Sequence, residues 1–187
     1  MDEIVLETAR IIREGGIILY PTDTIWGIGC DATNFHAVQR IYQIKQRSDQ
    51  KSMLVLMNER SMLQQYLVEI PATAMPFIQS PKKPTTIIYP GARNLAANLM
   101  APDGSIGIRI TRDPFCKKLI TLTGTPLVST SANVSGNPSP LTFSDIDPRI
   151  HEKVDYVVNW RQDERVPSAP STILKIKRDG KVVVLRP

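Results

Sequence analysis

Hydrophobic positions follow two distinct periods along the chain, and the period predicts the type of each element. Over residues 4–12, apolar side chains recur at helical spacing and stop at a pair of glycines, which predicts an amphipathic helix. The apolar run 17–20, between glycine and proline, instead predicts a buried strand. A second helix is expected over 37–42, capped at its N-terminus by Thr33 or Asn34.

The rest of the chain continues this alternation of helices and strands. Helical stretches are predicted near 59–67 and 72–79, and the dipeptide Asp179-Gly180 predicts a hairpin between the last two strands. The terminal hairpin adds antiparallel pairing, so the expected fold class is α/β, with a twisted sheet of mixed parallel and antiparallel strands and flanking helices. The polar stretch 159–170 is expected to be a long loop that acts as a mobile flap. The remaining strands are predicted at 53–57, 85–89, 106–110, 126–129, 154–158, 172–177 and 181–185.

Length and composition fit one ordinary domain over residues 1–187. Hydrophobic residues make up 42% of the chain and charged residues 22%, which is the usual globular range. The longest unbroken apolar run has five residues, which is too short for a membrane-spanning helix, and the N-terminus MDEIVLETAR shows no secretory signal. Two separated cysteines, Cys30 and Cys116, argue against a disulfide framework or a zinc site. A cytoplasmic location without membrane association is therefore expected.

The net charge of +5 is concentrated in the middle third of the chain. Residues 70–120 carry seven basic and two acidic side chains. A local positive field favours phosphate, carboxylate or nucleic acid as a ligand, although an ordinary solvated surface explains it equally well. The chain contains neither a P-loop motif nor a complete GxGxxG fingerprint. A nucleotide site would therefore be built in another way.

Two polar segments in the first half of the chain could contact such a ligand. YPTDTIWGIGCDA (residues 20–32) offers threonine hydroxyls and two glycines that allow a ligand to approach the backbone closely. KQRSDQK (residues 45–51) places the cations Lys45, Arg47 and Lys51 within seven residues, which suits a polyphosphate. Cations are also common at a helix end, so this second segment is a weak signal by itself.

Two further polar segments lie in the second half. In SIGIRI (residues 105–110), Arg109 alternates with isoleucines and is expected to point away from them. A guanidinium inside a strand usually binds a planar anion, although a solvated sheet face would hold one as well. VSTSANVSGNPSP (residues 128–140) contains five hydroxyls, two asparagines and a glycine, which either bind a ligand or form a turn-rich connection.

In this order and combination, the segments give the chain a specific resemblance to the YrdC/Sua5 family. The matches are YPTDTIWGIGCDA, KQR, SIGIRI, STSANVSGNPSP, and PSTILKI followed by LRP, and they run from residue 17 to 186. The resemblance implies a single YrdC-like domain with a basic concave cleft. It also implies an L-threonylcarbamoyladenylate synthase, a nucleotidyltransferase. Such an enzyme condenses L-threonine, bicarbonate and ATP to threonylcarbamoyl-AMP and pyrophosphate, for N6-threonylcarbamoyladenosine modification of tRNA at position 37.

The resemblance also assigns roles by position. Lys45 and Arg47 would be the catalytic residues that cradle the phosphates, and Arg109 would bind the threonine carboxylate. Mg²⁺ is expected with ATP, and no protein residue is assigned as its ligand. Asp23 is expected to stabilise its turn as an Asx residue rather than to assist the metal. The full ATP-binding set would be Lys45, Arg47, Lys51, Ser105, Asn133 and Arg186, and the threonine-binding set Thr24, Arg109, Ser131 and Ser171.

Four positions depart from the family's pattern. Trp26 replaces the usual tyrosine and preserves an aromatic wall. Ser52 stands where many relatives have a proline, and Leu56 where some have a histidine near the threonine side chain. Leu141 stands where some relatives place a threonine that contacts the nucleotide. These departures concern substrate contacts rather than membership of the family.

Two alternatives remain open at this point. A non-catalytic RNA-binding module would use the basic middle third, but the 2 Trp, 5 Tyr and 4 Phe residues do not interleave with a basic run as base stacking requires. A paralogue of the same superfamily with a different substrate would keep the fold. The sequence also leaves open contact with a downstream threonylcarbamoyl transferase complex and weak binding to tRNA or double-stranded RNA.

Overall fold

The structure is a computed structural model, and it describes residues 1–46, 53–79, 83–165 and 169–187. Nine strands in these residues form a sheet at the centre of the molecule. They are β1 (Ile18–Tyr20), β2 (Gly27–Gly29), β3 (Leu54–Met57), β4 (Thr85–Tyr89), β5 (Ile106–Ile110), β6 (Leu127–Ser131), β7 (Tyr156–Val157), β8 (Thr172–Ile176) and β9 (Val182–Arg186).

The described residues also form six α-helices, of which the first precedes β1 and the others lie between strands. They are α1 (Asp2–Arg13), α2 (Phe35–Lys45), α3 (Leu63–Tyr66), α4 (Met75–Gln79), α5 (Pro114–Thr123) and α6 (Pro148–His151). Short 3-10 turns lie at Arg60–Met62, Ala72–Ala74 and Phe143–Asp145. None of the helices in the described part of the chain has the length and apolar character needed to cross a membrane.

The strand order mixes parallel and antiparallel neighbours, as the sequence predicted. Across the sheet the order is β7-β1-β2-β6-β3-β5-β4-β8-β9. The pairs β1/β7, β3/β5 and β4/β8 are parallel, and the other five pairs are antiparallel. The predicted hairpin at Asp179-Gly180 joins β8 and β9 and is confirmed.

Local sequence accounts for the helix boundaries. Asn34, one of the two expected caps, accepts a hydrogen bond of 3.0 Å from the backbone N–H of Ala37 and starts α2. Helix α5 was not predicted from the sequence, although its signals are present. Asp113 caps it, proline occupies its first turn, and Gly124 ends it with a φ of 75°.

Strand β2 was also missed, because the segment 20–32 was interpreted as a polar, glycine-containing connection. Its glycines instead let β2 fit between β1 and β6. A Cβ on Gly29 would lie 2.4 Å from the carbonyl oxygen of Val128 and 2.6 Å from the ring of Tyr20. Only a residue without a side chain fits this close approach, so the glycine here belongs to a strand rather than to a loop.

Register across the central strands brings small residues together on one face of the sheet. Leu54 of β3 pairs with Gly107 on one side and with Ser129 on the other. Ser131, two residues after Ser129 on β6, pairs with Gly27 of β2. Small side chains and bare backbone leave space above this face, which is where the site lies.

Candidate functional site

A cavity of about 270 Å³ lies over the small-residue face of the sheet. Six strands contribute to its walls: β2, β3, β4, β5, β6 and β8, together with the end of β9. Gly27 and Gly107 form part of its floor, and Trp26 lies in its wall. The cavity is large enough for a small molecule and combines apolar side chains and glycine backbone with hydroxyls and guanidinium groups.

Five of the residues singled out from the sequence line this one cavity. All four of the predicted threonine-binding residues are among them, and so is one of the predicted ATP-binding residues. They are Thr24, Arg109, Ser131, Ser171 and Arg186. They are widely separated along the chain, so the fold assembles what the sequence shows only as scattered segments.

Arg47 and Lys51 lie outside the described residues, as does the departure at Ser52. Ser105 and Asn133 are described, and neither lines the cavity. The basic character expected of the cleft therefore stays a prediction that rests on Arg109 and Arg186.

Arg109 lies on β5 with its side chain turned into the cavity and only 3% exposed. As expected from the alternation, Ile108 and Ile110 lie on the opposite face of the sheet, where they line a second, much smaller cavity. Arg109 Nη2 lies 3.1 Å from Oδ1 of Asp23. Its Nε is buried and has no hydrogen-bond partner in the described residues. A buried guanidinium with an unused donor is suited to an incoming anion.

The expectation that Asp23 acts as an Asx turn residue is wrong. Its carboxylate is bonded across the structure, through the ion pair with Arg109 and through Oδ2, which accepts a hydrogen bond of 3.3 Å from the backbone N–H of Arg112. The local turn is held by Thr22 instead. The Thr22 hydroxyl accepts a hydrogen bond of 3.0 Å from the backbone N–H of Thr24 and lies 3.0 Å from the Thr24 hydroxyl.

A β-bulge brings Arg186 to the cavity. Ile173 pairs with Arg186 and Leu174 pairs with Val184, so Leu185 is skipped in the register. Because antiparallel partners share a face, Arg186 faces the same side as Ile173, which lines the cavity. In a regular ladder Leu185 would occupy this position and Arg186 would face the opposite side of the sheet.

Arg186 is anchored within the wall by Ser171. Its Nε donates a hydrogen bond of 2.8 Å to the carbonyl oxygen of Ser171, and Nη2 lies 3.5 Å from the Ser171 hydroxyl. Burial and, to a lesser degree, the positive charge of Arg109 lower the pKa of Arg186. The positive charges of Arg109 and Arg186 repel each other within the same cavity, and an anion bound between them would stabilise both.

Thr86 also lines the cavity, although it was not predicted from the sequence. Thr86 is buried on β4, and its hydroxyl shares a hydrogen bond of 2.8 Å with the hydroxyl of Ser171. The only sequence signal was a polar residue in the strand TTIIY, and β-strands commonly contain threonine. What connects Thr86 to the site is its hydrogen bond with Ser171, which lies 85 positions away in the sequence.

Lys45 is buried at the end of α2, where its ammonium group binds the loop that follows β6. Nζ donates to the carbonyl oxygens of Ser131 and Asn133 at 2.5 and 2.7 Å, and lies 3.3 Å from Oδ1 of Asn133. The Lys45 carbonyl oxygen accepts a hydrogen bond of 2.9 Å from the N–H of Ser135. Lys45 therefore shapes the loop that presents Ser131 to the cavity.

Asn133 and Ser105 make local contacts in this structure. Asn133 Oδ1 accepts a hydrogen bond from the Ser131 hydroxyl at 2.5 Å, so the amide orients a cavity residue. The Ser105 hydroxyl donates to Asp103 Oδ1 at 2.5 Å. Hydrogen bonds from Ser105, together with Lys175, hold the pKa of Asp103 at about 2. The predicted ATP contacts of Asn133 and Ser105 stay predictions.

The departures from the family's pattern occupy different environments. Trp26 lines the cavity, as expected for an aromatic wall, and its ring centroid lies 4.7 Å from that of Phe143. Leu56 is fully buried on β3 as the neighbour of Arg109 in the ladder and does not line the cavity. Leu141 lies on the outer side of Trp26 and is exposed.

The predicted loop over 159–170 contains no helix or strand in its described residues, 159–165 and 169–170. Arg161 fixes its first part. Nη1 donates hydrogen bonds of 2.8 Å to Asp113 and 3.2 Å to the carbonyl oxygen of Thr22. Pro170, at the end of this loop, lines the cavity beside Ser171. The movement expected of a flap stays a prediction.

Comparison with known proteins identifies the family of the chain. A family model for Sua5, YciO and YrdC proteins, described as "Telomere recombination", matches residues 10–187. The threonylcarbamoyl-AMP synthase of Pseudoalteromonas translucida is 35% identical over 176 residues, which cover 91% of this chain and 91% of that protein. The protein of the same name from Pseudomonas aeruginosa strain UCBPP-PA14 is 33% identical over 151 residues, which cover 80% of this chain and 81% of that protein.

Solved structures share the fold. P. abyssi Sua5 complexed with L-threonine superposes with a TM-score of 0.85 at 25% identity over 98% of this chain. The match spans about half of that longer protein, 53% of its chain. E. coli YciO gives a TM-score of 0.85 at 24% identity and covers all of this chain and 89% of its own. The chain belongs to the family of Sua5, YciO and YrdC proteins.

Proposed function

We propose that the chain is an L-threonylcarbamoyladenylate synthase, a nucleotidyltransferase that condenses L-threonine, bicarbonate and ATP to threonylcarbamoyl-AMP and pyrophosphate. The observation that carries the proposal is the convergence of Thr24, Arg109, Ser131 and Ser171 on one cavity. Two relatives that are 33% and 35% identical to the chain over the aligned residues are named threonylcarbamoyl-AMP synthase, and a structural neighbour of the same fold was solved in complex with L-threonine.

Threonine would bind with its carboxylate on Arg109. The guanidinium is buried, charged and has an unused Nε donor, so it is prepared for a planar anion. The hydroxyls of Thr24, Ser131 and Ser171 would receive the amino group and the side-chain hydroxyl, because hydroxyls both donate and accept hydrogen bonds.

ATP would occupy the remaining part of the cavity. Arg186 would contact it from the end of β9, and Lys45 and Asn133 would act through the loop that they hold. Arg47, Lys51 and Ser105 complete the proposed set. Mg²⁺ would arrive as part of the Mg·ATP substrate.

The chemistry requires the cavity to hold three reactants together, because the nucleophile is an oxygen of the carbamate and not a side chain of the protein. Bicarbonate takes up a proton and loses water to supply CO₂. The threonine amine bonds to the CO₂ carbon and releases a proton to form a carbamate. A carbamate oxygen then attacks the α-phosphorus, and the bond from this phosphorus to the bridging oxygen breaks as pyrophosphate leaves. Positioning and neutralisation of negative charge supply the catalysis of such a transfer. Burial raises the pKa of both cysteine thiols, which disfavours thiolate and agrees with a route that has no covalent enzyme intermediate.

The product would supply N6-threonylcarbamoyladenosine at position 37 of tRNA, through a downstream transferase complex. Weak binding to tRNA or double-stranded RNA and a cytoplasmic location belong to the same proposal. The alternative of a non-catalytic RNA-binding module predicts RNA retention on nitrocellulose at physiological salt without any ATP turnover.

Pyrophosphate release tests the proposal. We expect release that depends on ATP, threonine and bicarbonate together. Arg109→Lys should raise the KM for threonine far more than the KM for ATP, because an ammonium cannot bind a carboxylate through two parallel hydrogen bonds. Arg149→Lys, at an exposed arginine outside the cavity, is the control and should change neither constant. Equal effects of Arg109→Lys on both substrates would contradict the role of Arg109.

A further inference from the structure

Asp23 contacts Arg109, the proposed binding residue for the threonine carboxylate, from outside the substrate cavity. It lies between β1 and β2, and its carboxylate lines the small cavity on the opposite face of the sheet, beside Ile108. Oδ1 lies 3.1 Å from Nη2 of Arg109, and Oδ2 accepts a hydrogen bond from the backbone of Arg112. One carboxylate therefore holds both a side chain of β5 and the backbone just beyond this strand.

The pair is nearly removed from water. Arg109 is 3% exposed and Asp23 is 12% exposed. A guanidinium buried to this degree requires a nearby negative charge when no substrate is bound. Asp23 supplies this charge from outside the substrate cavity, so it occupies none of the space that a substrate would need.

The geometry of the pair leaves Arg109 able to bind a second anion. The contact with Asp23 is an ion pair rather than a directed hydrogen bond, since Asp23 Oδ1 has no hydrogen-bond partner in the described residues. Arg109 Nε likewise has none there. The carboxylate thus fixes where the guanidinium lies without using the donor at Nε.

We propose that Asp23 is a positioning residue for amino-acid binding. It holds the Arg109 guanidinium in the orientation that receives the substrate carboxylate, and it balances the charge of Arg109 while the cavity is empty. The inference rests on the proposed function, because it concerns the amino-acid end of that site. Asp23 touches no substrate, and its effect passes entirely through Arg109.

Kinetics of Asp23→Asn test this inference. The substitution keeps the size of the side chain and removes its charge. We expect the KM for threonine to rise roughly tenfold, as for the loss of other groups that orient a binding residue, with little change in the KM for ATP. Threonine affinity measured by calorimetry should fall by a similar factor.

Asp155→Asn is the control. Asp155 forms an ion pair of 2.9 Å with Arg40, with exposures of 38% and 45%, and neither residue lines the cavity or contacts Arg109. Thermal unfolding of both variants measures the general cost of losing an ion pair. Asp155→Asn should leave the KM for threonine within about twofold of wild type, because its ion pair lies away from the cavity.

A double-mutant cycle separates positioning from a merely structural role. If Asp23 acts through Arg109, Asp23→Asn should have little further effect on threonine affinity in an Arg109→Lys background. Additive effects, or an unchanged KM for threonine in Asp23→Asn, would overturn the inference while wild-type activity upheld the proposed function. A wild-type chain that neither binds threonine nor releases pyrophosphate would overturn both.

Discussion

The buried side chain of Lys45 both stabilises the fold and holds the segment that places Ser131 at the cavity. Its ammonium group donates to the carbonyl oxygens of Ser131, at the end of β6, and of Asn133, in the loop that follows, and it also approaches the Asn133 side chain. Lys45 is only 2% exposed, and a charged lysine buried to this degree is stable only where such acceptors surround its ammonium group. The residue was expected to cradle phosphates, and the structure adds a role in holding the loop.

Replacing Lys45 with methionine should therefore affect folding as well as activity. Lys45→Met keeps the length of the side chain but leaves buried carbonyl oxygens without their charged donor. We expect the free energy of unfolding in urea to fall by about 2–3 kcal/mol. Lys118→Met, which removes an exposed ion pair with Asp2, should change it far less. Similar losses in the two variants would show that Lys45 does not hold the loop.

Single residues were predictable where their chemistry is unusual for their position. A guanidinium inside an apolar strand pointed to Arg109, and hydroxyls clustered beside strands pointed to Thr24 and Ser131. Asp23 and Thr86 were missed as members of the site. Their partners lie 86 and 85 positions away, and no local pattern shows such contacts.

The β8–β9 hairpin carries a conformational feature that decides which residue enters the cavity. Skipping Leu185 in the ladder places Arg186 opposite Ile173. Leu185 itself is 55% exposed. The register of this hairpin, as well as the identity of its residues, therefore determines that the guanidinium of Arg186 lies in the cavity.

Changes in the length of β9 test this point. Deleting Leu185 should preserve activity, because Arg186 then follows Val184 directly and takes the regular position opposite Ile173. Inserting one alanine between Leu185 and Arg186 should move Arg186 out of its position opposite Ile173, whichever residue is bulged, and raise the KM for ATP. Pyrophosphate release by both variants measures the outcome. Loss of activity on deletion together with full activity on insertion would contradict the register argument.

Elements with a clear period were predicted closely, and the two that were missed have physical explanations. Strands β4 and β5 were predicted over their observed residues, 85–89 and 106–110. Strand β2 has glycines in place of the branched residues that usually mark a strand, because the ring of Tyr20 and the backbone of β6 leave no room for a side chain. Helix α5 has clear caps that were not used as boundaries.

Strand order across the whole molecule could not be read from local patterns. Neighbours such as β6 and β3, or β4 and β8, are far apart along the chain, and this order places the cavity residues together. Pairing of distant strands is decided by which faces can be buried together. Resemblance to the family, rather than periodicity, therefore supplied the expectation that these residues converge.

The cavity as a whole is proposed to join three substrates into one product, and isotope labelling tests this most directly. The purified protein would be incubated with Mg·ATP, L-threonine and bicarbonate labelled with carbon-13, and the products analysed by mass spectrometry. We predict one product that contains AMP, threonine and a single labelled carbon, formed by the wild type and lost in Arg109→Ala. Pyrophosphate release without this product, or a product without the label, would contradict the account.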